Sequence, residues 1–247
     1  MATAKHAYID SINLRGHALN LFQQHRDFEV TQLLNTDRTI KDTKAYKDLT
    51  GRFFNKNQRE VYKVTHSPTL QSFIIQSYHN SWWDAGMDYT KLRVYDFTIT
   101  FAGLHGYNQR SKNLLEILLS LSDNLIGYMI TRIDVCTDTK IKPTRLLNKL
   151  DADKNRYKVQ HKNTTYYNQK SRAVTIAYYD KGLKEKLSQK IHRVEYRFGG
   201  SYLNKKFYWS KEGLEELYKR LETYVFRAFG EKIKVQKVVS VSSLCMN

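Results

Sequence analysis

The chain has 247 residues, and its 41 Lys and Arg against 24 Asp and Glu give a formal net charge of +17. Hydrophobic residues make up 41% of it, which is enough to bury a core and excludes a disordered chain. Two prolines and two cysteines exclude a proline-rich linker, a disulfide framework and a zinc site. A strongly positive field attracts polyanions, so nucleic acid is the expected partner; the alternative is a basic surface that serves solubility.

Sequence features also bear on location. Residues Met1–Lys5 lack the basic region and apolar core that export requires. The longest apolar stretch, near Leu114–Leu121, is too short to span a bilayer, and neither end forms a strongly amphipathic basic helix. We therefore predict a cytoplasmic protein with no membrane contact.

The first half of the chain alternates between predicted strands and loops. A strand is predicted first, and the pattern from Gly16 to Thr36 then fits both a helix and a strand. A polar loop or short helix follows at Asp37–Asp48. The remaining strands and a Leu-rich helix are placed by alternation and by helical spacing. The strands are Ala7–Leu14, Glu60–Thr65, Gln71–Tyr78 and Arg93–Phe101, and the helix is Ser111–Ser122.

The second half predicts more strands and a long helix. The strands are Gly127–Cys136, Tyr157–Gln160, Thr164–Asn168, Ala173–Tyr179, Ile191–Phe198 and Ile233–Val239. A short helix begins at Pro143, and a long one runs from a Ser210 cap to Gly230. The pattern predicts an α+β fold with an antiparallel or mixed central sheet flanked by helices. Residues 1–247 are treated as one domain. The repeated Ile-Asp at Ile9-Asp10 and Ile133-Asp134 raises the alternative of two related halves, about 1–125 and 126–247.

The first chemical motif is the strand Thr131–Asp138. Side chains alternate along a strand, so Asp134 and Asp138 share one face. A carboxylate in an apolar strand is costly to bury unless it is paired or binds a metal. Two on one face fit a site for Mg²⁺ or Mn²⁺. The alternative, weighted equally, is that Arg132 pairs with Asp134 and that Asp138 is exposed at the strand end.

The second motif is His192–Phe198, in which Arg193, Glu195 and Arg197 share a face. A carboxylate between two guanidinium groups fits a metal or a phosphodiester held by arginines. A surface ladder of ion pairs explains the same pattern equally well.

The third motif is rich in tyrosine, at Thr164–Ser171 and again at Ile176–Gly182. A tyrosine can attack a phosphodiester and hold the DNA 5′ end covalently when a metal or base assists. Most tyrosines in strands are packing residues, and Asp180–Gly182 alone also fits a hairpin turn.

In their order, these segments resemble the replication initiators of rolling-circle plasmids of Gram-positive bacteria and the related initiators of filamentous phages. The resemblance covers about residues 93–200. It rests on the Thr-Arg-Ile-Asp strand, the Thr-x-Tyr segment, the Tyr-Asp-Lys segment and the Arg-x-Glu-x-Arg strand. In this chain they are Thr131–Asp138, Thr164–Ser171, Tyr179–Lys181 and Arg193–Arg197. The chain departs from the pattern at Asn168, in place of the usual glycine, and is short for a separate origin-recognition domain.

The resemblance implies a fold akin to the nicking relaxases, a carboxylate-held divalent metal and a tyrosine nucleophile that nicks one strand at a DNA origin. Asp134, Glu195 and Asp138 would hold Mg²⁺ or Mn²⁺. Either Tyr179 or Tyr166 would be the nucleophile, and both remain open. The implied nucleic-acid contacts are Lys181, Arg193, Arg197, Arg132, Lys170 and Arg172.

The expected partner is origin DNA, single-stranded or melted, whose bases would stack on spare tyrosines and on Trp82-Trp83. A host helicase and a homodimer are further expected partners. The main alternative is a non-catalytic nucleic-acid-binding protein with the same surface. A different metal-dependent nuclease, or an interaction protein with an acidic partner, are the others.

Overall fold

The computed structural model describes residues 5–35, 60–77, 97–169, 173–203 and 207–237. The chain forms two compact units, one of residues Asn13–Phe101 and the other of Met1–Ile12 with Ala102–Asn247. Each unit buries its own set of apolar side chains. Trp82, Trp83 and the loop predicted at Asp37–Asp48 lie outside the described residues.

The smaller unit is a helix packed with antiparallel strands. Its elements are α1 (Ala18–Gln24), β2 (Phe28–Asn35), β3 (Glu60–His66), β4 (Gln71–Ser77) and β5 (Phe97–Ala102), and it follows the end of β1 (Lys5–Gly16). The strands pair in the order β2-β3-β4-β5. The ring of Phe22 meets those of Phe28 and Phe73 edge to face, with centroids 5.1 and 5.3 Å apart. These aromatic contacts join α1 to the strands.

The larger unit contains a mostly antiparallel sheet. Its strands lie in the order β1-β6-β10-β9-β8-β7, and β11 runs parallel to β1. The added strands are β6 (Met129–Thr139), β7 (Arg156–His161), β8 (Thr164–Gln169), β9 (Val174–Asp180), β10 (His192–Phe198) and β11 (Ile233–Val235). The helices are α2 (Gln109–Ser120), α3 (Thr144–Ala152), α4 (Lys181–Lys184), α5 (Gly200–Leu203) and α6 (Lys211–Phe229).

The apolar face of this sheet is covered by α6. The ring of Tyr196 lies 5.8 Å from that of Phe229, and the ring of Phe198 lies 5.5 Å from that of Tyr224. Arg197 lies between Tyr196 and Phe198 in β10. Because side chains alternate along a strand, Arg197 is on the face of the sheet opposite α6. The helix fixes which face of the sheet remains for polar chemistry.

Both ends of α6 follow from the sequence. The Ser210 side chain accepts a hydrogen bond from the Gly213 amide at 3.0 Å, which caps the first turn. Gly230 ends the helix with φ of 70°, and its amide donates to the Phe226 carbonyl at 2.7 Å.

The predicted α+β class with its flanking helices is confirmed. The ambiguous segment resolves into both α1 and β2. One local prediction is wrong, because the last strand ends at Val235. The alternative of a hairpin turn at Asp180–Gly182 is not found, because the Asp180 side chain caps the Leu183 amide at 2.9 Å and α4 begins there. The relation between two halves of the chain stays a prediction. Among the described helices, none has the length and apolar character needed to cross a bilayer.

The left-handed cap of α6 is testable. We expect Gly230→Ala to lower the free energy of unfolding by about 1 to 2 kcal/mol, since an L side chain is strained at this φ. Urea unfolding followed by circular dichroism measures it. The control is Gly199→Ala, where an added Cβ would come no closer than 3.8 Å to its neighbours. An equal cost in both variants would contradict the role of the cap.

Candidate functional site

The polar face of the larger sheet carries the predicted carboxylates and arginines together. Across β6 and β10, Asp134 pairs with Arg197, Cys136 with Glu195, and Asp138 with Arg193. Residues directly opposite each other on neighbouring strands point to the same side. We call this surface of β6, β10, β9 and β8 the site face.

Arg193 lies at the centre of one cluster, with its side chain 0% exposed. Its Nε and Nη2 donate to the two carboxylate oxygens of Asp138 at 2.7 and 2.6 Å. Its Nη1 donates to Asp10 at 2.7 Å. A paired fork of this kind is the strongest geometry for an arginine and a carboxylate. Three strands, β1, β6 and β10, are thus joined through one guanidinium.

A second cluster contains the other two predicted carboxylates. Arg132 donates to both oxygens of Asp134 at 2.9 and 2.7 Å. Arg197 donates to Glu195 at 2.9 Å and lies 4.0 Å from Asp134. The pairing of Arg132 with Asp134, one of the two interpretations of the first motif, is present in the structure.

The electrostatic environment differs between the carboxylates. Burial raises the pKa of Asp10 and of Asp134 above the ordinary value, and the charge of Glu195 adds to it. Burial also opposes ionisation of Glu195, but the charge and hydrogen bond of Arg197 outweigh it and lower its pKa. Burial and the charge of Glu195 thus oppose ionisation of both aspartates, whereas Arg197 favours ionisation of Glu195.

Asp138 belongs to a different environment. Burial alone would raise its pKa, but hydrogen bonds from Arg193 and His105 hold that pKa well below the usual range. The Tyr107 hydroxyl also donates to Asp138 at 2.8 Å. The Asp138 side chain is 8% exposed and fully engaged, so the alternative of an exposed aspartate at the strand end is wrong.

The segment between β5 and α2 is fixed against this cluster. The Tyr107 amide donates to Glu185 at 2.7 Å, and Glu185 pairs with the Lys181 ammonium at 2.5 Å. The His105 ring stacks on Tyr8, with centroids 3.9 Å apart. Lys181, a predicted phosphate contact, is therefore buried and already paired with a carboxylate.

The two candidate tyrosines lie on the site face but differ in access. Tyr179 is 4% exposed, and its hydroxyl donates to Glu195 at 3.2 Å. Burial and the charge of Glu195 raise its pKa far above the ordinary value. Tyr166 lies opposite Ala177 in the row of Glu195, and it is only half-buried. The Arg197 guanidinium carbon lies 5.3 Å from the Tyr166 ring centroid. Tyr166 is thus the more accessible of the two candidate tyrosines.

The carboxylates do not form a preassembled metal site. Within the described ranges, no three His, Cys, Asp or Glu side chains are grouped closely enough to hold a metal ion. Asp134, Asp138 and Glu195 each accept hydrogen bonds from a guanidinium instead. Their oxygens have the hard character that Mg²⁺ prefers. In this arrangement those oxygens are occupied by guanidinium groups, and metal binding stays a prediction.

Among the predicted nucleic-acid contacts, Arg132 and Arg197 are the ones with partly accessible side chains on the site face, 27% and 25% exposed. Arg193 is buried among carboxylates. Lys170 and Arg172 lie outside the described residues. The polar cluster therefore separates into an inner structural part and an outer part that solvent reaches.

Asp10 was not predicted as a site residue, although the sequence carried a signal for it. Its Ile-Asp pair repeats that of Ile133-Asp134, and the structure places each aspartate beside an arginine of the site face, Asp10 at Arg193 and Asp134 at Arg132. Tyr107 and Glu185 carried no such signal, because their roles depend on long-range contacts. Only the fold brings them to Asp138 and to Lys181.

Comparison with known proteins gives a limited result. No protein-family model matches the chain, and no curated protein matches it significantly. Among solved structures, it is similar to a rolling circle replication initiator protein from Geobacillus stearothermophilus. The identity is 12%, the match covers 91% of this chain and 85% of that chain, and the TM-score is 0.43. Similarity at this level leaves the function to be argued from the site itself.

The buried pair at the centre of the sheet makes a stability prediction. We expect Asp138→Asn to lower the free energy of unfolding by about 2 to 3 kcal/mol, because it removes the paired fork of the buried Arg193 and leaves Asp10 to compensate its charge. Urea unfolding at neutral pH measures the change. The matched control is Asp151→Asn, whose pair with Lys158 is exposed and should contribute nothing measurable.

The same pair predicts a pH dependence. The folded pKa of Asp138 is depressed, so its stabilisation is present above its unfolded pKa, about 3.9, and is lost as the pH falls below that value. The stability difference between the wild type and Asp138→Asn should therefore shrink below about pH 4. About pH 2.5 lies well below the pKa of Asp138 in the unfolded chain. A stability difference that stays constant down to that pH would contradict the assignment.

Proposed function

We propose that the chain is a DNA-strand-nicking replication initiator that attacks one phosphodiester with Tyr166. The observation that carries the proposal is the row of Glu195, Ala177 and Tyr166 across three strands, with the Arg197 guanidinium over the tyrosine ring. A half-buried nucleophile beside a cation is a suitable place for a phosphodiester to bind. The net charge of +17 favours DNA as its source.

Tyr166 suits this role better than Tyr179. A nucleophile must come within contact distance of the phosphorus. Tyr179 is only 4% exposed, and its hydroxyl donates a hydrogen bond to Glu195. The Lys184 ammonium also lies 4.7 Å from the Tyr179 ring centroid. We therefore assign Tyr179 a positioning role, in which its hydroxyl orients Glu195 towards Arg197.

The proposed reaction exchanges one ester bond for another. The Tyr166 oxygen forms a bond to the phosphorus, and the bond from phosphorus to the 3′ oxygen breaks. The phenol loses its proton, and the departing 3′ oxygen gains one. Arg197 and Arg132, whose side chains are partly exposed, would stabilise the added negative charge on the phosphate oxygens. The product is a 5′ phosphotyrosine and a free 3′ hydroxyl that can prime synthesis.

A divalent metal remains part of the proposal through the hard oxygens of Asp134 and Glu195. The guanidinium groups now bonded to them would have to give way to the ion. No step of the proposed reaction depends on the ion's position, and its requirement is a separate test.

The second candidate function is non-catalytic nucleic-acid binding. It is favoured by the same contacts that argue against a preassembled metal site, because all three predicted ligands already have arginine partners. In that case the site face would bind single strands through Arg132, Arg197 and Tyr166 without cleaving them.

The choice of nucleophile can be tested directly. We expect Tyr166→Phe to abolish the covalent protein–DNA product on labelled single-stranded origin fragments with Mn²⁺, separated on a denaturing gel. Tyr179→Phe should reduce the yield but retain the adduct. The control is Tyr157→Phe, on the exposed neighbouring strand, which should leave cleavage unchanged. Loss of the adduct in Tyr179→Phe with full activity in Tyr166→Phe would reverse the assignment.

Metal dependence separates the two candidate functions. If Asp134 and Glu195 bind an ion for cleavage, EDTA should abolish the adduct while binding of the same oligonucleotide persists, and added Mn²⁺ should restore cleavage. Asp134→Asn should then need more Mn²⁺ for half-maximal cleavage. Binding without an adduct in any divalent metal would instead support the non-catalytic function, and cleavage that survives EDTA would remove the metal from the proposal.

A further inference from the structure

A groove runs along α6 on the side of the larger unit opposite the site face. It is open to solvent, with a volume of about 610 Å³ between α5 and one exposed surface of α6. That surface repeats at helical spacing through Glu216, Arg220 and Arg227. None of the residues named in the three sequence motifs lines it.

Aromatic rings form one wall of the groove. The rings of Tyr202 and Tyr224 meet edge to face with centroids 5.1 Å apart, and Phe198 packs behind both at 4.9 and 5.5 Å. The Tyr224 hydroxyl accepts a hydrogen bond from Arg156 at 3.3 Å. The rings are thus fixed before any ligand arrives, and they lose little conformational entropy on stacking with one.

A flat guanidinium continues this wall. Arg220 lies with its guanidinium carbon 5.1 Å from the Tyr202 ring centroid, and it donates to the Tyr202 carbonyl at 3.1 Å. A planar guanidinium held in this way can stack on a nucleobase or bind a phosphate. Tyr202, Tyr224 and Arg220 are all only half-buried, so part of each surface is accessible.

The rim of the groove is cationic. Lys219 and Arg227 are exposed, and with Arg220 they outnumber the groove's one acidic residue, Glu216. Charged residues on one helix surface usually form a solvated face. Here the cations lie beside two rings that pack on the sheet and still keep part of their surface accessible. Fixed rings below and cations above match the alternating bases and phosphates of a single polynucleotide strand.

We propose that this groove is a second nucleic-acid site, which binds unpaired single-stranded DNA with its bases against Tyr202 and Tyr224 and its phosphates at Lys219 and Arg227. Paired bases would leave no face free for the rings, so duplex DNA of the same sequence should not enter. The site does not depend on nicking, because it shares no residue with the Tyr166 row.

The salt dependence of single-stranded oligonucleotide binding tests the groove. Lys219→Glu combined with Arg227→Glu should lower the slope of log K against log salt by about 1.4, since each phosphate that the protein no longer neutralises removes about 0.7. The matched control is Arg145→Glu combined with Lys149→Glu, which makes the same change of charge at exposed positions of α3 and should alter the slope less. Melting temperatures verify that both variants fold.

Photocrosslinking locates the strand independently. With 4-thiothymidine in the oligonucleotide, we expect crosslinked peptides to include Tyr202 or Tyr224, and we expect none with the duplex. The proposal is overturned if those peptides are absent or if the two charge variants change the slope equally. Tyr166→Phe distinguishes the two proposals, because it should keep the crosslinks in the groove while losing the covalent adduct. If the wild type crosslinks in the groove but nicks no DNA, the proposed nicking function is wrong and the groove proposal is retained.

Discussion

The larger unit depends on the placement of one charge, the guanidinium of Arg193, in the interior of its sheet. Removing such a charge from water is costly, and the structure meets that cost with Asp10 on β1 and Asp138 on β6. Tyr107 belongs to the same cluster. Its hydroxyl donates a hydrogen bond to Asp138, and its amide donates one to Glu185 beside α4. A polar cluster thus fixes the relative position of three strands and the segment before α2, and leaves the outer arginines accessible.

Residues that look alike in the sequence differ in burial and in partners within this arrangement. Arg193 and Arg197 lie on the same face of one strand, yet one is enclosed by carboxylates and the other reaches the Tyr166 ring. The tyrosines divide in the same way, because Tyr179 lies one strand nearer the core than Tyr166. The inner members hold the cluster together, and the outer members keep accessible surface, which is why the proposed site is built on them.

Local patterns predicted much of the fold. The Ser210 cap and Gly230 placed α6, and strict alternation placed the shared faces of β6 and β10. What alternation could not supply was the pairing of those strands with β1, which brings Asp10 to Arg193 from 183 residues away. Nor could it show that Asp134 and Asp138, on one face of the same strand, belong to two separate clusters. The pairing of Asp134 with Arg132, two residues away on the same strand, was one interpretation of the motif, but the partner of Asp138 is Arg193 on β10, which only strand pairing supplies.

The most direct test of the central claim is to identify the amino acid that carries the DNA. The covalent adduct formed on a single-stranded origin fragment is digested with nuclease and trypsin, and mass spectrometry locates the residual nucleotide. Cleavage after Lys and Arg puts Tyr166 in peptide 163–170 and Tyr179 in peptide 173–181. The proposed site predicts a nucleotide on Tyr166 in the first peptide. A nucleotide on the second peptide, or no adduct with any divalent metal, would contradict it.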